Sequence, residues 1–211
     1  KDLNLKSESK KIKHIYHPLG GNFAEHRNFA LKQVTMEWTF FFDDDEYPSK
    51  ELIREIKNID NTKYSGFLVP RRDVVFFDEV KHGEVGGAKL LRLAKSNEGH
   101  FERAVHEVWR ISGSVGFLNN FLYHFKDNFV SEFLQRIIQY SKIDSVALSQ
   151  EGKNYSLFKL LVYPKAKFIL NYFLRLGFLD GKVGLFYAYL LSVQSLSNRI
   201  FQWEQRQRSK I

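Results

Sequence analysis

The sequence predicts an α/β fold that ends in a helical C-terminal region, and three patterns lead to this prediction. Helical and strand patterns alternate in the first part of the chain. Between residues 64 and 124, short strand-like runs are separated by glycines. From Asn128 onward, apolar residues recur at helical spacing. We therefore expect a first region over residues 1–127 and a helical extension over residues 128–211.

The early elements are predicted from apolar runs and capping residues. Residues 12–16 have the pattern of a short strand, and Asn22 is a suitable N-cap for the helix that follows. Residues 38–42 form a compact apolar run that is typical of a buried strand. Pro48 and Ser49 then open a helix that continues to Asn58.

The later elements change from strands to helices. Further helices are expected from Asn128, over residues 157–176 and over residues 181–204. The uncharged stretch 183–198 has 16 residues, whereas a spanning helix needs roughly 20 apolar residues. We therefore expect an interfacial or packed helix there. The strands are expected over residues 66–69, 73–77, 89–93, 100–111 and 115–124.

Composition limits the classes of protein that this chain can represent. The 211 residues include 20 Phe, 10 Tyr and 3 Trp, and 44% are hydrophobic, so the chain can bury one good core. The absence of cysteine excludes a disulfide scaffold, a thiolate zinc site and a cysteine nucleophile. The first residue is Lys1 and no signal-peptide pattern follows. We expect that the chain starts inside a longer protein.

The net charge of +8 is unevenly distributed along the chain. Residues 1–152 hold 22 Lys or Arg and 22 Asp or Glu, whereas residues 153–211 hold 10 basic and two acidic residues. The same tail carries 12 of the 33 aromatic residues. Dispersed basic and aromatic residues favour a peripheral contact with an anionic membrane surface, where each Lys or Arg contributes about 1 kcal/mol. A solvated helical face and nucleic-acid binding are alternatives, and we expect no nucleic-acid partner because the basic residues form no compact cluster.

The most informative motif is the acidic run Asp43-Asp44-Asp45-Glu46 directly after a buried strand. Four adjacent carboxylates repel one another, and a divalent cation removes that repulsion. Mg²⁺ or Mn²⁺ binds oxygen ligands, often together with substrate phosphates. If the strand continues, Asp43 and Asp45 point to one side and Asp44 to the other. The alternative is a solvated acidic turn that caps the next helix.

Other candidate residues carry weaker signals. Arg27 and Asn28 lie one turn into a helix, where they could contact a diphosphate or support the acidic run, but a surface arginine is equally common there. Glu107 lies on a predicted strand and could act as a general base. Taken alone, it is more simply a strand-edge glutamate paired with an arginine. His124 on its own is more often a packed residue than a ligand.

Several motifs in the same order resemble bacterial family 2 glycosyltransferases, in the branch that acts in lipopolysaccharide core and other cell-surface glycan assembly. The usual acidic motif of that branch is Asp-Ala-Asp-Glu, and here Asp44 replaces its middle residue. The resemblance extends from His14 to Glu204. The matching motifs are Asn22-Phe-Ala-Glu-His-Arg-Asn-Phe-Ala-Leu31, Glu37-Trp-Thr-Phe-Phe-Phe-Asp-Asp-Asp-Glu46, Val105-His-Glu107, Leu122-Tyr-His-Phe-Lys126 and Gly177-Phe-Leu-Asp-Gly181.

The resemblance implies a partial GT-A (Rossmann-like) nucleotide-sugar domain, with a β-rich acceptor section before the helical extension. It implies inverting transfer of a sugar from a UDP- or ADP-linked donor to a hydroxyl of a cell-surface glycan or glycolipid. Glu107 would be the catalytic base. The donor would be held by Arg27, Asn28 and Asp44, and Mg²⁺ or Mn²⁺ by Asp43, Asp45 and His124.

The basic, aromatic C-terminal region sets the expected location, and the resemblance sets the competing hypotheses. The enzyme would lie on the cytoplasmic face of the inner membrane, attached peripherally through residues 128–211. Residues 1–127 would be the C-terminal portion of the catalytic domain, because the nucleotide-binding strand and loop that begin such enzymes have no counterpart here. The main alternative is a non-catalytic, membrane-associated scaffold. A nucleotidyltransferase would need a Gly-rich phosphate loop or a second acid pair, and the sequence has neither.

Overall fold

The protein folds into a curled mixed sheet followed by packed helices, which confirms the α/β fold class. The computed structural model describes residues 13–59, 63–103, 107–150, 152–153 and 155–208. Within them the elements are α1 (Phe23–Leu31), β1 (Trp38–Phe40), β2 (Glu46–Pro48), α2 (Lys50–Lys57), β3 (Gly66–Val75), β4 (Asp78–Glu79), α3 (Gly83–Gly86), β5 (Lys89–Lys95), β6 (Gly99–Glu102), β7 (Val108–Ile111), β8 (Val115–Phe117), β9 (Leu122–Lys126), α4 (Phe129–Gln150), α5 (Leu157–Ile169), a π-helical turn (Leu170–Leu174), a 3-10 turn (Gly177–Asp180) and α6 (Gly181–Arg208).

Strand β3 is the centre of the sheet. The main path of the sheet runs β1-β5-β3-β9-β2, and β4 and β8 also pair with β3. β3 runs antiparallel to β5 and parallel to both β8 and β9. Strand β9 pairs with β3 on one side and with β2 on the other. His124 of β9 therefore lies beside Asp73 of β3 and beside Glu46, the last residue of the acidic run.

The sequence predicted two strands where the structure has the single strand β3. The β5 ladder reaches Pro70, and the β9 ladder begins at Arg71. Proline lacks the N–H that a ladder requires, and here it lies where β3 exchanges one partner strand for the next. The proline therefore marks a change of pairing rather than the end of a strand.

Three further strand predictions need correction. Residues 13–16 form no strand, and Ile12 lies outside the described residues. The adjacent His17 ring stacks on Phe29 of α1, with centroids 4.0 Å apart. The run 100–111 is the hairpin β6–β7, and Glu107 precedes β7 instead of lying within a strand. The run 115–124 divides into β8 and β9, because Glu55 binds the backbone and side chains of the connecting asparagines.

Buried clusters join these elements. One lies between α2 and the sheet, and a second lies under α1, where Phe101 stacks on Trp109 with centroids 4.9 Å apart. The third connects the end of the sheet to the helical region, and its buried members are Val75, Val80, Phe129, Val183 and Tyr187. The helical extension is thus packed on the sheet, while its treatment as a separate domain from residue 128 stays a prediction.

The C-terminal helices differ in whether they combine the length and apolarity of a membrane-spanning segment singly or only together. Among the described residues, no single helix meets both criteria. Leu157–Leu174 and Gly177–Arg208 meet them only as a pair, and the chain bends by 73° between these two segments.

Candidate active site

The acidic run forms a turn between β1 and β2, and its carboxylates face different partners. β1 ends at Phe40, so the strand alternation expected for Asp43 and Asp45 does not apply. The backbone N–H of Glu46 donates to the carbonyl of Asp43 at 3.1 Å and closes the turn. Asp44 is exposed, while Asp43 and Asp45 are partly exposed. The turn therefore presents three carboxylates toward the surface and keeps Glu46 inside.

Glu46 and Arg92 hold this turn from below. Glu46 is only 2% exposed, and its carboxylate accepts from the backbone N–H of Asp43 at 3.0 Å. The guanidinium of Arg92, on β5, donates to Glu46 at 2.9 Å and to Asp43 at 3.0 Å. Burial works to raise the pKa of Asp43, but the charges of Arg92 and Arg27 outweigh it and lower that pKa. Asp43 is therefore a carboxylate at neutral pH.

Arg27 brings Glu107 to the acidic turn. Its Nε donates to Oε1 of Glu107 at 2.9 Å, and its Nη2 donates to Oδ1 of Asp43 at 2.7 Å. The Glu107 side chain retains 20% of its exposure, so it can still meet a substrate. Helix α1 positions the arginine, because Asn22 accepts the N–H of Glu25 and fixes the start of that helix. Val105 and His106 of the same motif lie outside the described residues.

Asn28 connects α1 to strand β6. Its amide nitrogen donates to the carbonyl of Phe101 and its amide oxygen accepts from the N–H of Phe101, both at 2.8 Å. This pair of bonds resembles one rung of a sheet, and it fixes the hairpin next to Glu107. A direct contact between Asn28 and the donor stays a prediction, as does the donor contact expected for Asp44.

His124 lies in a chain of buried polar groups that ends at the acidic turn. Its Nε2 is 3.0 Å from Oδ2 of Asp45, and its Nδ1 is 2.9 Å from Oδ1 of Asp73. The hydroxyl of Tyr187, on α6, donates to Oδ2 of Asp73 at 2.8 Å. Burial would raise the pKa of Asp73, but the bond to His124 and the charge of Arg71 lower it. The pKa of Tyr187 is raised, since burial and Asp73 both oppose its ionised form.

The chemistry of the Asp45–His124 pair fits a divalent cation. Nε2 of His124 and Oδ2 of Asp45 can each offer a lone pair, so a cation could be bound between them. Adjacent ligands of octahedral Mg²⁺ are about 3 Å apart, and these two atoms are 3.0 Å apart. Metal-bound histidines usually donate their other ring N–H to a carboxylate, as His124 can to Asp73.

This fit is partial in two respects. Across the described residues, no three His, Asp or Glu side chains form a group arranged to hold a metal ion. Both oxygens of Asp43 accept hydrogen bonds from arginines, so Asp43 would have to exchange one of them to become a ligand. Mg²⁺ commonly takes one or two carboxylates and completes its shell with substrate phosphates and water. The Asp45–His124 pair suits that kind of site.

Comparisons with known proteins identify the family of this chain. The family model described as Glycosyl transferase family 2 matches residues 3–129. The chain belongs to glycosyl transferase family 2. It is also 27% identical over 196 residues to the lipopolysaccharide core biosynthesis glycosyltransferase LpsC of Rhizobium meliloti (strain 1021), a match that covers 87% of this chain and 72% of that relative. The resemblance found in the motifs is confirmed, and nothing in the comparisons supports the alternative of a non-catalytic scaffold.

Sequence reasoning missed several residues of this glycosyltransferase site. Asp73 of β3 contacts His124, Tyr187 of α6 in turn donates to Asp73, and Glu46 braces the turn through the backbone N–H of Asp43. Lys126 is 5% exposed, and its Nζ lies 3.7 Å from Asp45 and has no hydrogen-bond partner within the part of the chain that the structure describes. Burial, followed by the charge of Arg136, lowers the pKa of Lys126. One sequence signal could have found Lys126. Side chains alternate along a strand, so positions 124 and 126 of β9 lie on the same side.

Proposed function

We propose that this family 2 glycosyltransferase transfers a sugar from a nucleotide-diphosphate sugar to an acceptor hydroxyl, with Glu107 as the base. The observation that carries the proposal is the Arg27 bridge, which joins Glu107 and Asp43 through one guanidinium. In this proposal the acidic turn binds the donor. Glu107 lies next to that turn, so it can take the proton of an acceptor hydroxyl that approaches the donor sugar. The partial exposure of both carboxylates leaves room for that contact.

The reaction is a single displacement at the anomeric carbon. Glu107 takes the proton of the acceptor hydroxyl, and the oxygen attacks the sugar from the side opposite the nucleotide. A new glycosidic C–O bond forms as the bond to the diphosphate oxygen breaks, and the nucleoside diphosphate leaves with the bonding electrons. Attack from the opposite side inverts the configuration at that carbon.

The residues around the turn have separate tasks in this proposal. Asp45 and His124, with Asp43 after it releases an arginine, would hold Mg²⁺ or Mn²⁺, and Asp44 with Arg27 would contact the donor. The bound metal supplies positive charge that stabilises the leaving diphosphate. Arg27 holds Glu107 beside the acidic turn through the hydrogen bond to its Oε1, from where the carboxylate can meet the acceptor.

The acceptor class is inferred from the relative and from the chain itself. The similar protein is named for lipopolysaccharide core biosynthesis, and such acceptors are glycolipids located at a membrane. In this proposal the acceptor is a cell-surface glycan or glycolipid, and the donor is a UDP- or ADP-linked sugar. The same assignment explains why a cytoplasmic enzyme would carry a basic, aromatic tail.

The helical extension attaches the enzyme peripherally to the cytoplasmic face of the inner membrane. Support for this part of the proposal comes from apolar side chains near the bend, where Phe173, Leu174 and Leu179 are all more than half exposed. Lys165 and Lys182 are exposed on the same helices. Lys167 and Arg175 are less available to lipid, because both pair with Glu84 of α3.

A binding experiment tests the metal and donor parts of the proposal. Calorimetric titration of UDP or ADP into the protein should show tighter binding when Mn²⁺ is present. Asp45→Asn should remove that gain, because an amide is a poorer ligand than a carboxylate, while Asp78→Asn on the exposed strand β4 should keep it. Equal coupling in the wild type and in Asp45→Asn would refute the assignment of Asp45.

A transfer assay tests the reaction. UDP- and ADP-sugars are supplied with membrane glycolipid extracts, and release of nucleoside diphosphate is compared with and without acceptor. The proposal requires release that depends on the acceptor and a product whose anomeric configuration is opposite to that of the donor. Retention of configuration would contradict the single displacement.

A further inference from the structure

The helical extension reaches the candidate donor site through one side chain. Tyr187 lies in the first half of α6, is 6% exposed, and follows Asp73 by 114 residues in the sequence. Its hydroxyl donates to Oδ2 of Asp73 at 2.8 Å, and Oδ1 of the same carboxylate is 2.9 Å from Nδ1 of His124. His124 then meets Asp45 at 3.0 Å. A continuous polar path therefore runs from α6 to the acidic turn.

The two oxygens of Asp73 are held from opposite sides. Arg71 approaches Oδ1 at 3.4 Å, next to the bond from His124. The Tyr187 hydroxyl bonds the other oxygen, Oδ2. Without that hydroxyl, the Asp73 carboxylate could rotate toward Arg71. Its Oδ1 would then no longer be aligned with Nδ1 of His124. The orientation of the imidazole would then no longer be fixed from behind.

The ring and the hydroxyl of Tyr187 have separable roles. The ring packs against Phe129 with centroids 4.6 Å apart and against Phe133 at 6.0 Å, so it belongs to the apolar cluster that joins the helices to the sheet. The hydroxyl contributes nothing to that packing. A phenylalanine would preserve the cluster, and the hydroxyl serves the polar path.

We propose that Tyr187 is a positioning residue of the donor site, which acts through Asp73 to present Nε2 of His124 to the metal held with Asp45. The inference rests on the proposed function and extends it, because it makes α6 part of the catalytic apparatus as well as the membrane-facing region. Groups that orient a metal-binding histidine typically change metal affinity by about 10- to 100-fold when they are removed.

The test compares Tyr187→Phe with Tyr189→Phe. Tyr189 lies two residues away on α6, is exposed, and contacts Phe168 through its ring, so it controls for the loss of a hydroxyl from this helix. Binding of Mn²⁺ is measured by the electron paramagnetic resonance signal of free Mn²⁺, without any turnover. We expect the Mn²⁺ dissociation constant to rise about tenfold in Tyr187→Phe and to stay unchanged in Tyr189→Phe.

Two further measurements show whether the effect passes through His124. Adding Tyr187→Phe to His124→Ala should weaken Mn²⁺ binding no further, because residues that act along one path are not additive. With diamagnetic Mg²⁺ bound, nitrogen-15 NMR of the His124 ring should show a proton on Nδ1 alone in the wild type and a mixture of tautomers in Tyr187→Phe. Asp73→Asn provides a second route to the same loss if Tyr187→Phe folds poorly.

The outcomes separate this inference from the function on which it rests. Unchanged Mn²⁺ affinity in a folded Tyr187→Phe, with normal binding by the wild type, overturns the role of Tyr187 and leaves the proposed function intact. A wild type that binds no Mn²⁺, alone or with UDP or ADP, overturns both the metal site and this inference. Sugar transfer without added metal would then show that the enzyme works by another route.

Discussion

Arg27 donates through Nε to Oε1 of Glu107 at 2.9 Å, although 80 residues separate them in the sequence. The other end of the same guanidinium reaches Asp43, so one side chain of α1 connects the proposed base to the acidic turn. Rings of Phe41 and Phe101 lie on the guanidinium with centroids 5.7 Å away, and the Arg27 side chain is only 11% exposed. This arginine is therefore a fixed part of the site and not a surface charge.

Replacement of Arg27 by lysine should weaken both contacts at once. Lysine keeps the charge, but a single ammonium cannot donate in two directions with the geometry of a guanidinium. We expect a loss of about 2 kcal/mol in the free energy of unfolding, since hydrogen bonds to charged groups contribute at that level. Urea denaturation measures this loss, and Arg110→Lys on the exposed face of β7 is the matched control. A stability equal to that of the wild type would contradict the bridging role.

Glu55 should make the stability of the sheet region depend on acid pH. Burial would raise the pKa of Glu55, but hydrogen bonds from Asn119 and Asn120 lower it below the usual 4.5. A pKa lowered by folding stabilises the protein above the pKa of the unfolded chain, and this contribution is lost as pH falls through the folded value. Glu55→Gln should therefore melt at a lower temperature than the wild type at pH 7.

The difference between Glu55→Gln and the wild type should begin to shrink as the pH falls below 4.5 and should disappear once the pH has passed the lower pKa of the folded protein, because the wild-type carboxyl is then protonated. Differential scanning calorimetry over a pH series checks this convergence. Asp78→Asn, at an exposed position on β4, should show no comparable pH-dependent difference. A constant gap between Glu55→Gln and the wild type at every pH would show that the interaction does not depend on charge.

The helical extension should bind anionic lipid through both charge and apolar contact. Vesicle sedimentation should show binding to anionic vesicles that decreases at high salt, because charges are screened over roughly 8 Å at physiological ionic strength, and weak binding to neutral vesicles. Neutralising Lys165 and Lys182 with glutamine should reduce the salt-sensitive part. The same change at Lys50 and Lys57, exposed residues of α2, should leave it intact. Equal binding to neutral and anionic vesicles would refute the electrostatic contribution.

The remaining, salt-resistant part of lipid binding should depend on the exposed apolar residues at the bend. Phe173 and Leu174 lie there with 53% and 72% exposure. Replacement of both by serine should remove most of the binding that persists at high salt, since buried apolar side chains supply that part. If salt-resistant binding persisted unchanged, another surface would have to contact the lipid.

Local patterns predicted the elements that depend on local physics. Asn22 caps α1 as expected, and Ser49, expected with Pro48 to open the next helix, caps α2; each side chain accepts a backbone N–H three residues ahead. The acidic run was recognised because four adjacent carboxylates are costly without a partner. The general-base role of Glu107 was one of two interpretations of its motif, and the family resemblance favoured it, whereas His124 was proposed as a ligand only on that resemblance.

Contacts distant in sequence could not be predicted in this way. Periodicity says which face of a strand is buried, but not which residue of another element meets it. Asp73 gave no local signal because its partners, His124 and Tyr187, lie 51 and 114 residues away. The continuity of β3 through Pro70 was missed for the same reason, since it depends on β9 arriving beside Arg71.

The most direct test of the account is the effect of Glu107→Gln on turnover and on donor binding. Glutamine keeps an oxygen that can accept from Arg27 but cannot take a proton from the acceptor. We expect turnover to fall by about 10²- to 10⁴-fold, while the dissociation constant of the donor stays within about twofold of the wild type, because the base acts in the chemical step. Glu102→Gln, at the exposed end of β6, should preserve both values. Near-normal turnover in Glu107→Gln, or a parallel loss of donor affinity and turnover, would contradict the assignment of Glu107 as the base.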